Sequence, residues 1–237
     1  MKKMFQNMVR GISGVVFPNV CACCGLENTE HQRLLCSFCL QERFEDANPD
    51  NAPVSSDIIL PEGVIAQHAL WQFDKGGDLQ DLLHLLKYEQ LTGIGVDLGR
   101  ELGVRIKKHS LLKQKLSFFP AVLLPVPLHY LKFRYRGFNQ AFKISLGFQQ
   151  VWNDLSICDI KSVVRDKNTR TQTGLSLKRR RQNLKNAFKV KKPAEIKDKL
   201  VVIIDDVFTT GATTFELAHT VLDSGAKEIV VLTVAQA

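Results

Sequence analysis

The chain has 237 residues, 45% of them hydrophobic and 24% charged, with a formal net charge of +8. That is enough apolar material to bury a core, which excludes a disordered polymer. No apolar run approaches the roughly 18–20 residues that a membrane-spanning helix needs, so no transmembrane segment is expected. Between Leu128 and Lys199 there are 18 Lys+Arg against 5 Asp+Glu, a local net of +13, while the remainder carries 14 against 19, a net of −5. A basic middle in an otherwise acidic chain points to phosphate groups, either of nucleic acid or of a phosphorylated small molecule. The plainer reading is a set of solvated helix faces, and it weakens where arginines cluster, because Arg suits bidentate phosphate contact.

At this length we expect one large domain, or one of about 150–180 residues with a small appendage. Met4, Phe5, Met8, Val9 and Ile12 fall on one face of a short amphipathic helix, which packing explains better than membrane anchoring. Behind the basic start MKKMFQNMVRG there is no apolar stretch of the kind a secretory signal carries, so a reducing, cytoplasmic compartment is expected. Five of the six cysteines lie between positions 21 and 39. A stretch rich in Asn, Pro, Ser and Asp follows, giving a module over 1–45, a linker over 46–61 and a main domain over 62–237.

From His68 the pattern alternates. Ala69–Phe73 gives a weak strand signal, and Asp78 is the predicted N-cap of a helix that carries Leu79, Leu82, Leu83 and Leu86 on one face. His84 and Lys87 sit in that helix, His84 as a surface residue. A second helix is predicted over Val96–Lys108, although Gly99 and Gly103 count against it. Ala121–Val126 reads as a buried strand ended by prolines. A helix over Asn139–Trp152 and a short strand over Ser162–Arg165 come next. Leu200–Ile204 reads as a strand buried on both faces, Thr213–Ser224 as a helix closed by Gly225, and Glu228–Val234 as a final parallel strand. Strand, helix and strand within some 35 residues make a βαβ unit, so the class is α/β with an open, mainly parallel sheet and flanking helices.

Three motifs carry chemistry. Cys21-x2-Cys24 and Cys36-x2-Cys39, eleven residues apart, form two knuckles whose four thiolates could close a tetrahedral structural Zn²⁺ site. A dithiol redox pair and a metal-free cluster stay open beside zinc, and Cys23 is a surplus thiol that could compete with Cys21. In VVIIDDVFTTGATT, Asp205 and Asp206 stand at the expected carboxyl edge of the sheet, where open α/β folds bind ligands. Thr209, Thr210, Gly211, Ala212 and Thr213 then enter a helix, where small residues let backbone N–H groups converge on an anion. Carboxylates for hydroxyls beside a cradle for phosphate suit a phosphorylated sugar. The third motif is the basic middle itself, with Pro125-Val126-Pro127-Leu128-His129, Arg134, Arg136, Gly137, Phe138, Asn139 and Gln140, then Thr171–Leu175 and Lys178-Arg179-Arg180-Arg181. Arginines near a phosphate site could hold a pyrophosphate leaving group, and Phe133, Tyr135 and Phe138 interleave with Arg134 and Arg136 in a way that also permits base stacking.

The fourteen-residue run resembles the phosphoribosyl-pyrophosphate (PRPP) motif of type I phosphoribosyltransferases. That resemblance implies the ribose hydroxyls for Asp205 and Asp206, the 5′-phosphate for Thr209–Thr213, and Mg²⁺ carried mainly by the pyrophosphate. Thr209 stands where 6-oxopurine salvage members have an Asp, and threonine cannot exchange a proton with a base near neutral pH, so hypoxanthine or guanine salvage is disfavoured. The ordered set of double knuckle, PVPLH…RGFNQA, TQTGLS…RR and DDVFTTGAT is similar to the ComF/GntX-type phosphoribosyltransferase-like family over nearly the whole chain. The resemblance implies a type I phosphoribosyltransferase-like domain behind a zinc-ribbon-like module. It also implies a role in natural transformation: handling of incoming single-stranded DNA, with DNA-uptake proteins as further partners. Arg134, Arg136, Arg179 and Arg180 take the pyrophosphate role in that reading. Whether a phosphoribosyl group is transferred, and to what acceptor, stays open, as does a metabolic or regulatory PRPP-binding role without DNA.

Overall fold

The computed structural model describes residues 19–30, 32–48, 58–167 and 186–237. They fall into two compact units, one ending at Phe44 and the other beginning at Glu45. The predicted helix before residue 13, the middle of the predicted linker, and the stretch from Thr171 to Arg181 with Arg179 and Arg180 lie outside the described residues. Among the described residues no helix is long and apolar enough to cross a membrane.

In the first unit a short helix, α1 (Ser37–Glu42), follows a hairpin closed by an antiparallel bridge between Val20 and Glu27. The second unit is built on strands β1 (Val64–Gln72), β2 (Ala121–Pro125), β3 (Ser156–Ile157), β6 (Leu200–Phe208) and β7 (Glu228–Gln236). They form one parallel five-stranded sheet in the order β1-β7-β6-β2-β3. Strands β4 (Val163–Arg165) and β5 (Phe188–Val190) make a separate antiparallel ribbon. The helices are α2 (Asp78–Tyr88), α3 (Thr92–Lys108), α4 (Ser110–Phe118), α5 (Tyr130–Arg136), α6 (Gln140–Val151) and α7 (Ala212–Asp223).

Every residue from Leu200 to Ile204 is buried, as a strand covered on both faces requires. On one face Val201, Ile203, Ile229 and Val231 pack with Leu217, Ala218 and Val221 of α7. Helices α3 and α6 cover the other. Strand β6 is four residues longer than its apolar run: Asp205, Val207 and Phe208 stay in register with Thr233, Ala235 and Gln236 of β7. Strand β1 also starts earlier than its signal, because buried Gln67 and His68 interrupt the apolar pattern. Its outer edge is not left open. Ala47 N–H donates to the Leu70 carbonyl at 3.1 Å and Gln72 N–H to the Glu45 carbonyl at 2.9 Å, so the residues at the boundary between the predicted module and linker cover the sheet edge.

Two further expectations are corrected. Asp78 is the first helical residue of α2, not its cap. Asp74 does the capping from farther back, its carboxylate accepting from Leu79 N–H at 3.1 Å and Gln80 N–H at 3.0 Å. The glycines that counted against α3 are what seats it on α6. A Cβ on Gly99 would lie 1.9 Å from the Ile144 carbonyl oxygen, and one on Gly147 the same distance from that of Val96. Trp152 ties the far end of the pair, its indole N–H donating to the Gly103 carbonyl at 3.0 Å. Backbone meets backbone at this crossing, so an added methyl must push the helices apart. We expect Gly99→Ala to cost about 1–3 kcal/mol despite alanine's better helix propensity. Thermal denaturation should show a fall of roughly 3–10 °C; an unchanged melting point would contradict the packing.

Candidate functional site

In the first unit, the amide N–H of Gly25 donates to the Cys21 carbonyl at 2.9 Å, turning the chain sharply through the first knuckle. Cys36 stands at the N-cap of α1, which brings the second knuckle to the first. The sulfurs of Cys21, Cys24, Cys36 and Cys39 all lie within 4.8 Å of one another, and those of Cys24 and Cys36 are 3.9 Å apart. Four thiolates at 2.3 Å from a tetrahedral Zn²⁺ would be separated by about 3.8 Å, so the four could hold a metal such as zinc. The Cys21 sulfur accepts from the backbone N–H groups of Cys36 at 3.3 Å and Cys23 at 3.4 Å, the kind of outer contact that orients a ligand. Burial alone would raise the Cys21 thiol, but the N–H groups of Cys36, Cys24 and Cys23 outweigh it and bring it down to about 7. Cys158, in the second unit, is buried, and burial pushes its thiol up to about 12, as befits an inert core residue.

In the second unit, strand β2 stops at Pro125 opposite Ile204, with one last bond from Val126 N–H to the Ile204 carbonyl at 2.9 Å. Beyond that point β6 runs on with β7 on one side and no β2 on the other. Asp205 and Asp206 sit in this overhang, within the strand rather than in the loop after it. From β2 the chain leaves for β3 at one edge, and from β6 for β7 toward the other, so the overhang stands at the topological switch point of the sheet.

The acids are followed at once by the turn. Gly211 adopts φ +69°, and a Cβ there would meet Phe215 at 2.4 Å and Phe208 at 2.9 Å, so glycine is required on both counts. The same residue is the N-cap of α7, without a side-chain cap bond. The Thr214 hydroxyl donates to the Gly211 carbonyl at 3.2 Å, and the Ala212 N–H reaches Thr210 Oγ1 only at 3.5 Å. The first amides of a helix have no carbonyl one turn earlier to bond, and the helix dipole adds partial positive charge there. Thr209 is exposed, and Thr210, Ala212 and Thr213 are half-buried.

The two carboxyls lie close enough to share a hydrogen bond, and the Lys87 ammonium faces both, so neither charge is set alone. Asp206 is buried and forms an ion pair with Lys87 of α2. Its carboxyl is held below the usual range: burial would raise it, but the Lys87 ammonium outweighs that. Asp205 accepts from Asp206 N–H at 2.9 Å through Oδ1. Burial first, and the neighbouring Asp206 charge second, push its carboxyl well above the usual range. Lys87 is kept above its ordinary value, the charge of Asp206 prevailing over burial. Lys132 of α5 is lowered by burial and by the nearby charges of Arg165, Arg136 and Lys87. Burial also lowers Arg165 of β4, with Asp205 opposing.

Four cations thus converge on the acid pair, and the sequence assigned a site role only to Arg136 among them. Arg136 donates to Gln140 Oε1 at 3.0 Å, and its guanidinium lies 5.3 Å over the Tyr88 ring. Arg134 is exposed and two residues round the helix from both Lys132 and Arg136, so it does not join them. Lys87, Lys132 and Arg165 come from three elements far apart in the chain, and no local motif links them. Lys132 was findable from its i, i+4 spacing to Arg136, had α5 been predicted. That helix is framed by His129, whose Nδ1 accepts from Leu131 N–H at 3.3 Å, and by Gly137, whose N–H donates to the Phe133 carbonyl at 2.7 Å. Asn139 then caps α6, accepting from Ala141 N–H at 2.9 Å, so RGFN is two helix ends back to back.

The charge arrangement carries a stability signature. A carboxyl whose folded pKa is raised destabilises the fold once pH exceeds its unfolded value, whereas a depressed one stabilises it there and loses that contribution as pH falls through the folded value. Asp205→Asn should therefore raise the melting temperature at pH 7. Asp206→Asn, which leaves Lys87 facing a neutral amide, should lower the melting temperature, with a loss of stability of about 3 kcal/mol. Thermal melts of the two variants at pH 7 check this, and shifts of the same sign would contradict it.

No family model matches the chain. Competence protein F of Haemophilus influenzae is 42% identical over 120 residues, a match that spans 50% of this chain and about half, 51%, of that protein. DNA utilization protein YhgH of Escherichia coli strain K12 is 31% identical over 210 residues, covering 89% of this chain and 81% of that protein. The YhgH protein of Salmonella typhimurium is 32% identical over 213 residues with the same coverage. Among solved structures, the glutamine PRPP amidotransferase from B. subtilis aligns at 15% identity and a TM-score of 0.38, over 60% of this chain and 26% of that one; a likeness that low carries no argument. Identity above 30% across four fifths of YhgH does, and with the order of motifs it shows that this chain belongs to the ComF family.

Proposed function

We propose that this protein binds Mg–PRPP at the β6 overhang and the turn behind it, and that it serves DNA uptake in the cytoplasm by handling incoming single-stranded DNA. The observation that carries the reading is the juxtaposition of an acid pair, a glycine-bent turn at a helix N-terminus, and a ring of cations from α2, α5 and β4. Asp205 and Asp206 are the ribose grip. Thr209, Thr210, Gly211, Ala212 and Thr213 form the 5′-phosphate cradle, their amides supplying the donors. Arg136 holds the pyrophosphate, with Lys132 and Arg165 beside it and Arg179 and Arg180 as the further arginines that the basic middle supplies; Arg134, exposed on the opposite side of α5, is not among them. Departure of pyrophosphate builds negative charge, which fixed cations stabilise. Mg²⁺ accompanies the pyrophosphate, as suits an ion that keeps several waters and takes substrate phosphates with one or two carboxylates. In the free protein the Lys87 ammonium occupies the carboxylate that a ribose hydroxyl would use, so ligand docking exchanges one partner of Asp206 for another. The DNA role rests on the names of relatives, Competence protein F and DNA utilization protein YhgH.

Calorimetric titration of the wild type with PRPP and Mg²⁺ should show binding that Asp205→Asn weakens at least tenfold. That variant is the informative one because it is expected to remain folded; equal affinity in it would overturn the ribose assignment. The double knuckle is assigned to structural zinc. Purified protein should contain one Zn²⁺ per chain, and Cys21→Ser or Cys39→Ser should lose it; full occupancy in either variant, or a metal-free wild type that is fully folded, would overturn that assignment.

A further inference from the structure

Helix α5 buries none of its seven residues. Tyr130 is 62% exposed, Tyr135 79%, Leu131 43% and Phe133 39%. So large an apolar load is not serving the core, and it is not scattered. On a helical wheel Lys132 and Arg136 fall together on the side that meets the acid pair. The remaining arc carries Phe133, Tyr130, Leu131 and Tyr135, with Arg134 at its centre. Arg134, which the site leaves out, thus stands between Tyr130 and Leu131, with Phe133 and Tyr135 beyond them. On the acid-pair side of α5 the Arg136 guanidinium lies over Tyr88, itself 47% exposed, and Tyr88 makes a tilted contact with His84 at 4.7 Å.

Exposed rings interleaved with cations fit one kind of occupant. Unpaired bases offer π faces to the rings while their phosphates meet Arg134, and the local excess of positive charge complements a polyanion. A duplex keeps its bases stacked inside and could use only the cations. We infer that this exposed arc of α5 is the platform on which this protein holds single-stranded DNA, on the side of the helix turned away from the sugar-phosphate site. This deepens the DNA-handling arm of the proposed function and rests on it.

The test uses the full chain and a fluorescently labelled oligothymidine, read by anisotropy over a range of salt. Wild type should bind, with affinity falling steeply as salt rises. Tyr130→Ala and Tyr135→Ala should each weaken binding roughly tenfold with little change in salt slope, because they remove stacking and not charge. Tyr130→Phe and Tyr135→Phe should keep it. Arg134→Ala should reduce the salt slope by about one. All these positions are exposed, so melting temperature and PRPP affinity should stay at wild-type values, which separates a lost platform from a lost fold. Wild type binding while both alanine variants bind equally well overturns the platform alone, and so does equal affinity for duplex with the same losses. Wild type that fails to bind at low salt overturns the DNA-handling arm itself. Anionic lipid vesicles that capture wild type but not the alanine variants, with oligothymidine binding unaffected, overturn the platform in favour of a membrane surface.

Discussion

Two carboxylates placed side by side in a buried strand repel each other and lose their water, and the site is organised around that problem. The two side chains share a hydrogen bond and the field of the Lys87 ammonium, and they divide the negative charge unequally. Asp206 takes the Lys87 ammonium and stays charged. Asp205, with Arg165 and Lys132 farther off, is pushed toward its neutral form. The pair therefore carries less negative charge than its sequence implies, and what it carries is set by residues from α2, α5 and β4. A buried ion pair is weak evidence for stability, since desolvation can offset the attraction. Here its more telling feature is position, at the one place where β6 has lost a neighbour strand.

That position depends on where β2 ends. Pro125 and Pro127 cannot donate to a ladder, so pairing with β6 fails after Ile204 and the next four residues of β6 are released on that side. The chain then has to turn away, and it does so through His129, α5, Gly137 and Asn139. What reads as a functional signature, RGFN, is also the steric grammar of one helix ending and another beginning. Both readings hold at once: the caps place α5, and α5 carries Lys132 and Arg136 to the acids.

The backbone-to-backbone crossing of α3 and α6 has a comparable role at longer range. Gly99 and Gly147 let the two helices approach closely, backbone to backbone. A looser crossing would shift the N-terminus of α6, and with it the short α5 segment that leads into it. Helix propensity is spent locally for precision elsewhere, a trade that a scale of single-residue preferences does not register.

Much was legible from residues alone. A five-residue apolar run names a buried strand because little else hides so many β-branched side chains, and paired knuckles name a cysteine cluster that could hold a metal because thiolate spacing is a local property. The acid pair and its glycine turn are contiguous in sequence and so are contiguous in space. What sequence could not tell was the overhang, since strand length past Ile204 depends on a neighbour 80 residues away that stops short. Nor could it tell the glycine crossing, where composition argues against the very helix that the contact requires. Lys87 and Arg165 look like any surface cation until folding brings α2 and β4 to the same carboxylates. Local order follows from the chain's own chemistry; which charges meet is decided by topology, because opposite charges act over ångströms in space and not along the sequence.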